Sequence, residues 1–189
     1  MNQEKHPCLE NRNKKIQCKA LSPSILVSAC LFSIPCRYNA KQAKNVFSPQ
    51  EIIKIQQHYQ IVPICPEQLS GLATPREPME ITGGNAFDVL NKKAGVYTKS
   101  GEDCSHKMIH GAKISLQLAR LSKCNIMVGQ NKSPSCSCQR IYDGHFSGKL
   151  IQGFGITAAL LQNNGIQMMD KKDFLVFMDT KKSDVLQQI

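Results

Sequence analysis

Tryptophan is absent from this 189-residue chain, and aromatic residues make up only 6% of it. Proteins that hold single-stranded nucleic acid stack its bases on aromatic faces, so that class starts here without its platform. No run of about 18 apolar residues occurs, which predicts no membrane-spanning helix. The first two dozen residues are polar and basic and contain no apolar stretch of the kind a secretory leader needs. A cytoplasmic location is therefore expected. Acidic side chains are also scarce, 14 against 24 Lys and Arg, for a formal net charge of +10. An excess of that size raises the question of an anionic partner. The bases are nevertheless dispersed, as in Lys14-Lys15, Lys92-Lys93, Lys171-Lys172 and Lys181-Lys182. Dispersed charge reads as a solvated surface, and a nucleic-acid partner is left unsupported.

What the chain does have is nine cysteines. In a reducing compartment disulfide frameworks do not persist, and an odd count with irregular spacing fits one poorly. Metal, cluster or redox use is the better reading. Cys8 and Cys18 fall in a charged, Asn-rich stretch without periodicity, residues 1–23, read as a flexible basic extension. Their spacing matches no tight zinc knuckle.

From residue 24 the pattern becomes regular. Ile25 to Ala29 is a short continuous apolar run, expected to be a buried strand. Ser48-Pro49-Gln50-Glu51 has the residues of a capping box with proline at the first helical position, predicting a helix to about His58. Tyr59 to Ile64 reads as a second strand and Phe87 to Leu90 as a short one. Cys104 to Lys123 has helical spacing of its apolar residues, and Asn125 to Val128 reads as the next strand. Ile156 to Gln162 forms a short helix, Ile166 to Met169 a last strand, and residues 171–189 a tail or short helix. Alternating strands and helices predict one α/β domain over residues 24–170. It is expected to be Rossmann-like and three-layered, a mostly parallel sheet with helices on both faces.

In such sheets ligands gather beyond the carboxyl ends of the strands. Cys30, Cys65 and Cys136 all fall at such ends. Cys136 lies within Ser133-Pro134-Ser135-Cys136-Ser137-Cys138, where small residues flank the thiol. Three dispersed thiols without a C-x2-C pair suit a soft metal site, above all an iron–sulfur cluster with one open iron. The alternative is that they are small buried residues, a common role for cysteine. Glu67, two residues past Cys65, is placed to act as acid or base beside a metal ligand, or to pair with Arg76. Arg76 and Glu77 are expected to pin their loop by charged hydrogen bonds. Ser133 and Ser135 either donate into the site or hold a turn. Cys36 and Cys138 stand as alternative ligands. Gly153 and Gly155 offer amides ahead of a helix, a weak anion signal. His106 and His110 have metal-ligand spacing on one helix but read as exposed side chains.

These residues together resemble a small bacterial domain family, long without a known function, that includes the thiouracil desulfidases. The resemblance runs through Ser28-Ala29-Cys30-Leu31, Pro35-Cys36-Arg37-Tyr38 and the long stretch from Val62 to Pro78. It continues through Ser133-Pro134-Ser135-Cys136, Ile141-Tyr142-Asp143-Gly144 and Gly153-Phe154-Gly155-Ile156-Thr157-Ala158, covering about residues 24–169. It implies a 4Fe–4S cluster held by Cys30, Cys65 and Cys136, whose unligated iron takes the sulfur of a thiolated pyrimidine such as 2-thiouracil. Water replaces the sulfur, giving uracil and hydrosulfide without net redox change. Glu67 is then the proton-transfer residue, and Ser133 positions the substrate or relays protons. A non-catalytic iron–sulfur sensor is the competing reading. The chain departs from the family pattern at Ser33, Ala40 and Ser137, where glycines are expected, and at Gln130, where lysine is common.

Overall fold

The computed structural model describes residues 22–186, so Cys8 and Cys18 lie outside the described residues. In chain order the elements are β1 (Ser24–Ser28), α1 (Pro49–Gln56), β2 (Gln60–Ile64), α2 (Pro66–Leu69), β3 (Met79–Thr82), α3 (Ala86–Leu90), β4 (Gly95–Thr98), α4 (Ser105–Leu121), β5 (Ile126–Gly129), β6 (Arg140–Tyr142), β7 (Leu150–Gln152), α5 (Ile156–Asn163), β8 (Gln167–Asp170) and α6 (Lys171–Leu186).

Four strands form a parallel sheet in the order β2-β1-β5-β8. Side chains alternate across it, as the pleat requires. Ile25, Val27, Ile126 and Val128 face a core completed by Ile55 of α1 and by Phe174 and Met178 of α6. Leu26 and Met127 point the other way, to Leu116 and Ala119 of α4 and Leu161 of α5. The expected three layers, helices on both faces of a parallel sheet, are therefore present. Among the described residues no helix is long and apolar enough to cross a membrane.

Local chemistry starts the helices where the sequence indicated. The Ser48 side chain accepts the Glu51 amide at 3.2 Å, and Glu51 accepts the Ser48 amide at 2.7 Å. This closes the capping box at the head of α1. The carboxyl-terminal segment is helical from Lys171, and its Phe174 is fully buried, so the sheet's second face depends on it.

Two regions differ from expectation. The stretch Phe87 to Leu90, read as a strand, is part of helix α3. Asn85 Oδ1 accepts the amides of Phe87 (2.8 Å) and Asp88 (3.1 Å), and Asp88 Oδ2 accepts the Asn85 amide (2.9 Å). A short apolar run does not distinguish strand from helix; the Asn85/Asp88 cap does. The second difference is a pair of antiparallel units beside the main sheet, β3 with β4 and β6 with β7. The first packs Met79, Ile81 and Val96 against Met108 and Ala112 of α4.

Between β1 and β5 the sheet order reverses, since β2 adds on one side of β1 and β5 on the other. Beyond the carboxyl ends at such a reversal the flanking loops part and leave a crevice.

Candidate functional site

That crevice is a cavity of about 360 Å³, lined by the segments that follow β1, β2 and β5 and by β3 and the β6–β7 connection. Cys30 lies in a 3-10 turn (Ala29–Phe32) directly after β1. Cys65 caps the start of α2, directly after β2. Cys136 sits in the loop after β5. All three line the cavity, as do Glu67 and Ser133. The Gln130 amide donates to Ser28 Oγ at 3.2 Å, tying together the ends of β1 and β5.

The loop carrying Cys136 is held by close backbone packing. Ser133 Oγ accepts the amides of Ser135 (3.2 Å) and Cys136 (3.1 Å). The first amides of α5 turn to the same loop, Ile156 donating to Pro134 O at 2.8 Å and Thr157 to Ser135 O at 3.0 Å. An added Cβ on Gly155 would lie 2.4 Å from the Ser135 carbonyl, and one on Gly129 would lie 2.1 Å from Cys136 O. Glycine at those points lets the thiol loop sit down on α5 and β5. The amides around Gly153 and Gly155 are thus spent on the loop: Gly153 donates to Gln139 O and Gly155 to Ser137 O. The expected anion-binding role for them falls away.

Glu67 is 9% exposed and paired with Arg76, whose Nε lies 2.8 Å from Glu67 Oε2 and whose Nη2 bonds the same oxygen. Arg76 also donates to Cys36 O at 3.1 Å, and its amide to Tyr38 O at 2.7 Å. One guanidinium therefore fixes both the carboxylate and the Cys36 loop. Arg76 pins its loop as expected, but through Glu67; Glu77 instead accepts the amide (3.1 Å) and hydroxyl (2.8 Å) of Ser100. The other oxygen of Glu67 faces Ser133, whose hydroxyl lies 3.5 Å away.

Of the two alternative thiols, the cavity takes one. Cys36, 2% exposed, lines it beside the thiols of Cys30 and Cys65. Cys138 does not line it and sits instead near Asp170 and Asp173. Burial first, then those two carboxylates, push the Cys138 thiol up to about 12. His106 and His110 are exposed on α4. Sequence reading did not single out Glu80, a buried cavity-lining carboxylate, because its strand β3 was not recognised.

Three of the cavity thiols, Cys36, Cys65 and Cys136, are pushed above the ordinary thiol range. The hydrogen bond to Cys30 leads in pushing the Cys36 thiol up to about 11, and burial leads in pushing Cys136 up to about 12. For Cys65 the hydrogen bond to Cys36, then burial, raise it well beyond the usual thiol range. No lysine or arginine is among the groups that set these shifts. A soft cation supplies the missing positive charge and deprotonates its thiol ligands outright. Among the described residues no three His, Cys, Asp or Glu side chains are grouped to hold a single metal ion. Cys30, Cys65 and Cys136 line one cavity instead, and an all-sulfur donor set of that kind fits an iron–sulfur cluster.

Known proteins resemble the chain over most of its length. The model of a family described as 2-thiouracil desulfurase matches residues 25–173. YbbK, an uncharacterized protein of Bacillus subtilis (strain 168), is 42% identical over 149 residues, covering 79% of this chain and 96% of YbbK. The 4Fe–4S-dependent thiouracil desulfidase TudS is similar in structure, with a TM-score of 0.72 and 32% identity, covering 86% of this chain and 99% of TudS.

Proposed function

Because the chain belongs to the 2-thiouracil desulfurase family, we propose that it is a cluster-dependent desulfidase acting on a thiolated pyrimidine such as 2-thiouracil, as base or nucleoside. The observation that carries the reading is the convergence of Cys30, Cys65 and Cys136 on one cavity with Glu67 and Ser133. The three thiols would hold a 4Fe–4S cluster, which supplies a Lewis-acidic iron with affinity for the substrate's sulfur.

The chain's own residues do the rest. Glu67, held by Arg76, takes the proton from the water that replaces sulfur at the ring carbon and returns it as hydrosulfide leaves. The pairing holds its side chain in place beside the cavity. Ser133 Oγ, 3.5 Å from Glu67 Oε1, bridges carboxylate and substrate and at the same time fixes the turn that presents Cys136.

The sensor reading draws on one observation, the position of Cys36 beside Cys30 and Cys65: a fourth thiolate there closes the open iron. Anaerobic purification with iron and sulfide analysis, followed by addition of 2-thiouracil, separates the two. About four irons per chain with release of uracil and hydrosulfide is the desulfidase result. A full cluster that releases nothing from any thiolated pyrimidine is the sensor result. A protein that takes up no iron on reconstitution sinks both.

A further inference from the structure

Glu80 is a second buried carboxylate on the cavity wall, and the chemistry above leaves it unused. It sits on β3, outside the parallel sheet, and is 6% exposed. Its Oε2 accepts two backbone amides, Gly144 at 2.9 Å and Phe146 at 3.0 Å. Those bonds pin the β6–β7 connection against β3, where Gly144 packs so close that an added Cβ would lie 2.3 Å from Ile81 O. Both bonds use the same oxygen. Glu80 Oε1 has no donor and no ion pair among the described residues.

The partnerless Oε1 is not walled in. Among the described residues, the buried side-chain polar atom sealed from solvent without a partner is Gln130 Oε1. Glu80 Oε1 is not in that state, so its open side is the cavity that Glu80 lines. Gln130 lines the same cavity, and its amide orientation is fixed by the bond from Nε2 to Asn131 O at 3.1 Å; a flipped amide would set oxygen against oxygen. The wall thus carries, at Glu80, a fixed carboxylate oxygen that lacks a donor. Buried polar groups are normally satisfied, and the complement of a fixed carboxylate oxygen is an N–H or O–H.

We propose that Glu80 Oε1 accepts a ring N–H next to the carbon–sulfur bond, making Glu80 a specificity-determining residue for thiolated pyrimidines in their neutral thione form. The inference rests on the thiolated-pyrimidine reading given above. In 2-thiouracil a ring N–H flanks the C–S carbon on each side, and the product uracil keeps both. Loss of a ring proton, or methylation of the nitrogen, replaces the donor with a negative charge or a methyl group facing a carboxylate. Both are rejected, because an acceptor left unpaired or a like charge opposite it weakens binding far more than a missing apolar contact does. Anchoring the hairpin needs only an oxygen acceptor, which a carboxamide also provides. The charge on Glu80 is therefore surplus to the structural task.

Glu80→Gln separates the two tasks. Its carboxamide oxygen still accepts the Gly144 and Phe146 amides, while its NH2 presents a donor where Oε1 presented an acceptor. Anaerobically purified wild type and variant are compared for kcat and KM on 2-thiouracil, 1-methyl-2-thiouracil and 3-methyl-2-thiouracil. Uracil affinity is measured by calorimetry and hairpin integrity by hydrogen exchange at Gly144 and Phe146. In the wild type one of the two methyl isomers shows a KM raised about tenfold or more, the effect of losing a hydrogen bond to a charged acceptor. Glu80→Gln raises KM for 2-thiouracil and Kd for uracil by a similar factor and no longer separates the isomers, with amide protection retained. A wild type that handles both isomers as it handles 2-thiouracil overturns the assignment without recourse to any variant. So does a Glu80→Gln protein with unchanged KM and unchanged uracil affinity, in which Glu80 would be a hairpin anchor alone. Glu80-dependent uracil binding in a protein that desulfurates nothing leaves the assignment standing and removes the desulfidase reading.

Discussion

Glu67 and Arg76 are bonded to each other, yet removing either one damages a different property. Glu67→Gln keeps the shape and the three thiols, so iron content is expected to match the wild type. Turnover of 2-thiouracil falls about a hundredfold or more, the usual loss when a positioned acid–base group goes; iron analysis beside a uracil-release assay checks both halves. Arg76→Ala instead leaves a carboxylate buried without its counter-charge and reduces the donors on Cys36 O to the Cys65 thiol. The two side chains are 8% and 11% exposed, so solvent relieves little of this, and about 3–5 kcal/mol of stability is expected to be lost in a denaturant titration. For the thiols the expected outcome is compositional: Cys30→Ala, Cys65→Ala and Cys136→Ala each lose the cluster, whereas Cys138→Ala keeps it because Cys138 does not line the cavity. Most of these residues were legible in the sequence, since a thiol or carboxylate just past an apolar run marks the carboxyl end of a strand. Glu80 was not, because nothing in the short stretch Met79–Thr82 marks it as a strand, and a lone carboxylate there reads as surface. The partner of Arg76 was not legible either: Glu67 and Glu77 are both near in sequence, and only the turn of the loop decides between them.

Among the elements, α5 has the largest hold on the site without supplying a lining side chain to it. Its amino end receives the Cys136 loop through backbone carbonyls, and Gly155 allows the approach. Gly155→Ala places a Cβ 2.4 Å from the Ser135 carbonyl, so backbone on one side must move. A lower melting temperature together with reduced iron per chain is expected; a variant that melts lower but carries full iron would show that the loop adapts independently of the thiol. The short apolar run Ala86–Leu90 illustrates where sequence patterns fail for elements. Five residues carry too little period to separate 2 from 3.6, and the decision lies with Asn85, just before the run, and Asp88, within it, which together cap the helix. By contrast α4 was plain, because its apolar stripe repeats over several turns and is buried against both the sheet and β3–β4.

At the scale of the whole molecule the parallel sheet was legible and the additions to it were not, since strands buried on both faces announce themselves as apolar runs and the small antiparallel pairs do not. Of the positive charge, Arg37, Arg76, Lys99 and Lys132 line the cavity. Stability as a whole should respond to alkali through buried thiols remote from the site. Burial pushes the Cys124 thiol, at the junction of α4 and β5, from 9.0 up to about 11. The folded chain then holds this proton more tightly than the unfolded chain does. Its contribution is complete below pH 9 and is lost as pH rises towards 11. Urea titrations at pH 8 and pH 10 should show a loss of stability that Cys124→Ala reduces.

The three cavity thiols follow three different strands, and the last of them waits for β5 to lie beside β1 in the register Val27 opposite Val128. This sets a timetable for biosynthesis. A chain leaving the ribosome shows Cys30 and Cys65 early, but with the ligand set proposed above it has no complete seat for iron until residues beyond Cys136 have emerged and the sheet has closed. Delivery of the inorganic group therefore belongs to the finished polypeptide. With that ligand set, chains arrested before that point would remain colourless, and a brown preparation would report that the fold has been completed.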